Sequence, residues 1–166
     1  VEFLPMNFGK DQVEETLKEY AKELLDAWGN DPFFIDLNLV DGLETISGIH
    51  PLNIFGGGCR DISLNPIFVV RLDSTKEYVE AVREETKQDG RGICIRVFID
   101  QIFDPLFENR LKDFVLHLEF EPEEVHLVVD YAVHSDNSPL FEEVCDSMPS
   151  FLRRWRTFTV VGGAFP

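Results

Sequence analysis

Single ionisable side chains stand inside several short apolar runs of this sequence, where a charge is costly unless it has a partner or a task. Most of them lie toward the carboxyl end of their run, and these positions are Glu2, Asp36, Arg71, Arg96 and Asp130. If they face one cavity, the acids and arginines can simply pair there as an internal salt-bridge network. Alternatively, the two arginines can bind a phosphate or carboxylate, while an acid orients a hydroxyl group or serves as a base.

Two further polar residues follow these runs closely. Asp73 comes just after Arg71, and His134 comes four residues after Asp130. The predicted ligand-binding set is therefore Glu2, Asp36, Arg71, Asp73, Arg96 and Asp130. Asp36, Asp130 and His134 are the candidate acid and base groups. Loop histidines are more often simply exposed, and this applies to His134 and to His50 alike.

Spacing alone indicates no reaction type. The sequence contains no HExxH pair, no nucleophile elbow and no cysteine paired with histidine. The Gly56-Gly57-Gly58 run lacks the lysine and hydroxyl residue of a phosphate-binding loop, so we interpret it as a flexible connector. No metal site and no cofactor are predicted.

The apolar runs are too continuous for a sheet with one wet face, which is typical of parallel strands buried on both sides. Six strands are predicted: Val1 to Leu4, Phe33 to Leu37, Ile67 to Leu72, Arg91 to Phe98, Val125 to Tyr131, and one from near Phe158. Residues with helical spacing separate them. These helices are predicted from Asp11 to Gly29, from Thr75 to about Gln88, from Pro105 to Leu118 and from Pro139 onward, with a kink at Pro149. Residues 38–65 are expected to be irregular, with a short helix near Val40 to Ser47.

This alternation predicts an α/β fold of right-handed strand-helix-strand units around a parallel sheet. We favour a TIM-type (β/α)8 barrel of which this chain is a large part, because charges near the carboxyl ends of barrel strands reach solvent. A doubly wound parallel sheet is the alternative, although no GxGxxG follows the first strand. Residues 1–166 are predicted to form one α/β domain that is incomplete at both ends, since both termini lie in strand patterns.

Composition narrows the classes of partner. The 31 acidic and 15 basic residues among 166 give a net charge of -16, which opposes nucleic-acid binding. No apolar run approaches the roughly 20 residues of a membrane span. The three cysteines, Cys59, Cys94 and Cys145, fit small buried apolar residues in a reducing compartment. We therefore expect a cytoplasmic protein that contacts neither nucleic acid nor membrane.

Five stretches of the chain, taken in order, resemble the beta protein family of phages and prophages. They are Pro32 to Leu37, Asn65 to Arg71, Gly90 to Arg96, Glu124 to Asp130 and Trp155 to Pro166. The resemblance rests on strand signatures and not on a catalytic motif. It implies a gene carried on mobile elements, and in satellite phages the namesake of the family lies beside a killer gene that it is thought to counteract. It assigns no enzymatic activity and no catalytic residue to any position.

Two functional hypotheses follow. The first is a component of phage-host conflict, antitoxin-like or part of antiphage defence, that binds a protein encoded by a neighbouring gene; an acidic surface suits a basic partner. The second is a TIM-barrel enzyme or sensor that binds a small anionic, phosphorylated ligand at the carboxyl mouth of the barrel. Arg71 and Arg96 would then hold the ligand.

Overall fold

Strands and helices alternate along the part of the chain that this computed structural model describes, residues 10–133 and 154–163. The helices are α1 (Lys10–Trp28), α2 (Pro51–Asp61), α3 (Lys76–Asp89), α4 (Ile99–Ile102) and α5 (Phe107–Leu118). The strands are β1 (Phe33–Asp36), β2 (Pro66–Arg71), β3 (Ile93–Phe98), β4 (Val125–Val133) and β5 (Thr157–Gly163). Two short 3₁₀ helices cover Asn38–Val40 and Pro122–Glu124.

The five described strands follow chain order in the sheet, β1-β2-β3-β4-β5. β1 and β2 are parallel, with Phe33 opposite Pro66 and Asp36 opposite Val69. β4 and β5 are also parallel. The predicted α/β class with a parallel sheet is confirmed. Closure into an eight-stranded barrel remains a prediction, and a doubly wound sheet is also compatible with these strands.

The chain divides into two compact units, with the boundary between Ile93 and Cys94. In the first unit, α1 buries Val13, Leu17, Ala21 and Leu24 at steps of three and four residues, as an amphipathic helix requires. β2 is buried along its length up to Arg71, as expected of a parallel strand covered on both faces. In the second unit, α5 buries Phe107, Leu111, Val115 and Leu118 with the same helical spacing.

Capping residues fix α3, whose position matters for the site described below. The Oγ1 atom of Thr75 accepts a hydrogen bond from the backbone N–H of Tyr78 at 3.1 Å, as an N-cap side chain does. Gly90 ends the helix in the left-handed conformation at φ 66°, where a side chain would be strained. Both boundaries lie within two residues of those predicted.

The predicted irregular stretch 38–65 is wrong in its second half. α2 runs straight through Gly56-Gly57-Gly58, which is therefore not a flexible connector. Helix packing outweighs the low helix propensity of glycine here, since a β-carbon at Gly58 would already be in van der Waals contact with Lys18 of α1. The helix predicted near Val40 to Ser47 is absent, apart from the turn Asn38–Val40.

Two other predictions need correction. α5 begins at Phe107 and not at Pro105, because Oδ1 of Asp104 accepts the N–H of Leu106 at 2.9 Å in a turn before the helix. β5 is not buried like its predecessors: Phe158 and Val161 are exposed. It is the last strand of the described order, with β4 as its one neighbour there.

Parts of the prediction fall on residues that the structure does not describe. The first strand, Val1 to Leu4, lies outside the described residues, and so does most of the helix from Pro139, including the kink at Pro149. Trp155 lies in a bend before β5 and is buried. No helix in the described ranges combines the length and apolar character needed to cross a membrane.

Candidate functional site

Asp36 ends β1 as a buried carboxylate with a complete set of hydrogen bonds. Its Oδ2 atom accepts from Nε of Arg71 at 3.1 Å and from Nη2 at 2.6 Å. Its Oδ1 atom accepts from the backbone N–H of Asn38 at 3.0 Å and from the Asn38 side-chain amide at 3.1 Å. The residue is 3% exposed, so the guanidinium is the counter-charge that makes its burial tolerable.

A second layer of polar groups holds both members of this pair in place. The Ser74 hydroxyl donates to Oδ1 of Asn38 at 2.7 Å and accepts the backbone N–H of Arg71 at 3.0 Å. The Ser74 hydroxyl therefore connects Asn38, which binds Asp36, to the backbone of Arg71, which pairs with Asp36. Asp36 and Arg71 end β1 and β2, and Asn38 and Ser74 follow them, at strand ends that parallel pairing brings to one edge.

Tyr78 crosslinks the same two strand ends from α3. Its hydroxyl donates to the carbonyl of Val69 at 3.0 Å and accepts the backbone N–H of Leu37 at 3.1 Å. The side chain is fully buried. Burial, with the nearby charge of Asp36 adding to it, raises the pKa of Tyr78 well above its usual range. The phenol therefore stays protonated and serves as a bridge between strands.

Asp41 links the N-termini of two helices. Its Oδ1 atom lies 3.2 Å from Nε2 of His50, the N-cap of α2, and its Oδ2 atom accepts the hydroxyl of Thr75, the N-cap of α3, at 2.7 Å. Nδ1 of His50 accepts the N–H of Leu52 at 3.2 Å, which leaves Nε2 as the nitrogen that carries the proton. Both ring nitrogens of His50 are thus occupied, and the expectation that it is simply exposed is wrong.

Electrostatics make Asp36 a poor general base. Burial alone would raise the pKa of its carboxyl, but the hydrogen bonds from Arg71 and Asn38 outweigh burial and lower the pKa below its usual value. A catalytic base works best with a pKa near the operating pH. A carboxylate with a lowered pKa and both oxygens bound to protein donors is suited to holding a structure.

The second unit repeats the pairing with the roles of the strands exchanged. Arg96 of β3 donates from Nε to Oδ2 of Asp130 in β4 at 2.9 Å, and Nη2 donates to the same oxygen. The guanidinium carbon of Arg96 also lies 5.2 Å from the ring centroid of Phe98, within the range of a cation–π contact. Asp130 is 6% exposed. Each unit thus contains a buried strand carboxylate that pairs with an arginine of the neighbouring strand.

The predicted site residues fall into three groups. Asp36 with Arg71, and Arg96 with Asp130, are brought together as pairs between consecutive strands. Asp73 is exposed on the surface beyond β2. Glu2 and His134 lie outside the described residues. Within residues 10–133 and 154–163, no three histidine, cysteine or acidic side chains are grouped to hold a metal ion.

The strand signatures quoted above agree with a comparison of the chain with family models. Residues 2–166 match the model described as Beta protein. The chain belongs to the Beta protein family. The family assignment made from the strand sequences is thereby confirmed. Membership of this family associates the protein with phages. A comparison with curated proteins finds no match.

Solved structures provide a likeness of fold for this member of the Beta protein family. A GH18 chitinase from Pseudoalteromonas aurantia matches with a TM-score of 0.59 and 12% sequence identity. The match covers 99% of this chain and 69% of the chitinase chain. At this identity the likeness concerns the fold alone, because one fold hosts many unrelated functions.

This Beta protein family member also contains a buried charge network beside the start of β2. Glu85 of α3 is 4% exposed and pairs with Arg60 of α2. Nη1 of Arg60 also lies 3.3 Å from Oδ1 of Asp89. Asp89 pairs in turn with Arg91, whose Nε donates to the carbonyl of Pro66 at 3.1 Å. Alternating acids and arginines leave each charge with a counter-charge, which identifies a structural network that joins α2, α3 and β2.

Gly56 is the residue that admits Glu85 to this network. A β-carbon at Gly56 would lie 2.0 Å from Oε2 of Glu85, closer than any real contact. The buried carboxylate therefore occupies the space that a side chain on α2 would fill. Sequence reasoning missed this network, because charged helix residues such as Arg60, Glu85 and Asp89 ordinarily lie on a face exposed to solvent.

Sequence reasoning also missed Asn38, Ser74 and Tyr78 around the Asp36 pair. No sequence pattern indicated that Tyr78 binds backbone groups of two strands. Asn38 follows Asp36 by two residues, a spacing at which an acidic side chain can bind the backbone ahead of it. That spacing was the one local signal in the sequence for the second layer of the site.

Proposed function

We propose that this protein acts by binding another protein in phage-host conflict, as an antitoxin-like or antiphage defence component in the cytoplasm. Family membership associates the chain with phages. The partner in this proposal is a protein encoded by a neighbouring gene. The protein would then neutralise or sense that partner through a surface and not through a chemical reaction.

The saturation of Asp36 is the observation that carries the proposal. Four hydrogen bonds from Arg71 and Asn38 occupy both of its oxygens, and its pKa is lowered. His50 is likewise occupied at both ring nitrogens. The polar groups at the carboxyl ends of β1 and β2 therefore bind one another, and their arrangement favours a binding scaffold over an acid-base catalyst.

Charge indicates the kind of protein partner. A net charge of -16 on 166 residues attracts basic surfaces over a distance of about one Debye length and accelerates their encounter. The same charge repels nucleic acid and acidic proteins. We therefore propose a partner whose contact surface is basic.

Co-expression with the neighbouring gene tests this function. The neighbouring gene is induced alone, with this protein, or with this reading frame interrupted by an early stop codon. Growth is expected to fail in the first and third cultures and to recover in the second. A neighbouring gene that is harmless without this protein, or toxicity that persists with it, would overturn the proposal.

The partial exposure of the two strand arginines favours a second candidate function. The Arg71 and Arg96 side chains keep 17% and 23% of their surface exposed, so a small anion can reach them without opening the fold. Arginine binds phosphate and carboxylate groups through its planar set of donors. The protein would then be an enzyme or sensor for a phosphorylated ligand.

Thermal denaturation with inorganic phosphate, nucleotides and sugar phosphates tests the second candidate. A ligand that binds the native state raises the melting temperature with concentration. The increment is expected to disappear in Arg71→Ala or Arg96→Ala and to persist in Arg154→Ala, which removes an arginine with a 62% exposed side chain. An increment that survives both strand variants would exclude these arginines from the ligand site.

A further inference from the structure

We propose that the loop from Asp41 to His50, called here the 41–50 loop, is the docking surface for the basic protein partner. This inference rests on the proposed binding function and adds to it the place of contact. The loop lies entirely within the first compact unit, between β1 and α2.

Two isoleucines in the 41–50 loop are exposed to solvent. Ile46 is 70% exposed and Ile49 is 52% exposed, and Leu39 just before the loop is 45% exposed. Much of the apolar surface of these residues stays in water in the folded chain, and exposed apolar side chains that lie together mark interaction sites. The hydroxyl of Thr45 donates to the carbonyl of Ile49 at 2.8 Å, so both isoleucines belong to one tight turn.

Contacts with two helices fix the loop. The N–H of Ser47 donates to Oε1 of Glu14 in α1 at 2.8 Å, and Glu44 pairs with Lys10 of the same helix. At its start, Asp41 accepts the hydroxyl of Thr75, the N-cap of α3. The isoleucines therefore lie on an ordered loop. Binding a partner would cost little free energy for ordering this loop.

The position of the loop is typical of binding segments in α/β proteins. Residues 37–50 connect β1 to α2, a connection well beyond the ~2–6 residues usual between a strand and the following helix. Binding residues are found disproportionately on loops that a rigid scaffold holds in place. The loop follows the carboxyl end of its strand, where folds of this class bind their ligands.

Charge around the loop selects the occupant. Glu44 lies within it and pairs with Lys10, and Asp11 and Glu15 are exposed on α1 beside the residues that hold the loop. An apolar centre with a mostly acidic border fits a partner that offers an apolar side chain surrounded by lysine or arginine. The overall charge of -16 points to the same chemistry.

Titration calorimetry with the purified product of the neighbouring gene tests the assignment. The variant Ile46→Ser/Ile49→Ser removes the apolar centre, and Leu116→Ser is the matched control, because Leu116 is 77% exposed on α5. The loop variant is expected to weaken binding about tenfold or more, as the loss of a central contact does. The control is expected to bind like the wild type, and both should keep the wild-type melting temperature.

The outcomes separate this inference from the proposed function. If the wild-type protein does not bind the product, the proposed function fails and the docking surface fails with it. If the wild type and the loop variant bind equally, only the docking surface is overturned. A photoreactive residue at position 46 should cross-link to the product, and the same residue at position 116 should not. A cross-link between two copies of this chain at position 46 would show self-association and would also overturn the assignment.

Discussion

Arg71 directs its Nε and its Nη2 at the same oxygen of Asp36, which leaves the other oxygen to Asn38. The Asp36 carboxylate thereby binds both Arg71 of the neighbouring strand β2 and Asn38, which follows β1. Arg96 and Asp130 repeat the first half of this arrangement, with two donors on one oxygen. Charges inside these apolar strands are explained by mutual pairing.

The Asp36–Arg71 pair should show strong coupling. Asp36→Leu and Arg71→Met each leave a largely buried charge alone and are expected to lower the free energy of unfolding by about 3–5 kcal/mol. The double variant should lose much less than the sum, because neither charge remains. Urea denaturation of the four proteins measures the coupling. Additive losses would show that the residues act independently, and Arg154→Met, at an exposed pair, should change stability little.

Tyr78→Phe should loosen the ends of β1 and β2 while leaving the packing of the ring intact. The hydroxyl binds Val69 and Leu37, so its removal leaves two buried backbone groups without their partner and is expected to cost about 1–3 kcal/mol. Hydrogen exchange gives a specific measurement, since the Leu37 amide should exchange faster in the variant. An unchanged Leu37 amide would contradict the bridging role.

Alanine substitutions at adjacent glycines should have opposite effects. Gly56→Ala places a β-carbon against Glu85 and is expected to destabilise the fold by about 1–3 kcal/mol, as overpacking does. At Gly57 the nearest group is the end of the Arg60 side chain, 3.9 Å away, so alanine fits. Gly57→Ala should therefore stabilise α2 by about 0.5–1 kcal/mol. Equal melting temperatures for the two variants would refute the account of the Glu85 network.

His126 should make stability depend on pH. Burial, with a smaller effect from the charge of Arg156, lowers the pKa of His126 below its ordinary value of 6.5. The unfolded chain therefore binds a proton at a higher pH than the folded chain, and stability falls as the pH drops below 6.5 toward the folded pKa. The wild type should lose more stability than His126→Gln between about pH 7.5 and about pH 5.5. Parallel losses in the two proteins would contradict the lowered pKa.

Sequence patterns predicted those features that depend on one residue and its near neighbours. The strands around Asp36, Arg71 and Asp130 followed from continuous apolar runs, and the cost of a lone charge inside such runs predicted that acids and arginines could pair. The roles of Ser74 and Tyr78 around Asp36 could not be predicted, because their partners depend on strand register. Gly56 was misinterpreted for a similar reason: low helix propensity is a local property, whereas the approach of Glu85 is a tertiary one.

The association rate of the purified protein with the purified product of the neighbouring gene tests the central claim most directly. Surface plasmon resonance would follow it while the salt concentration rises from about 0.05 M to about 0.5 M. A complex should form, and its association rate should fall steeply as salt screens an acidic surface from a basic one. Absence of a complex at low salt, or a rate that does not respond to salt, would contradict binding to a basic partner.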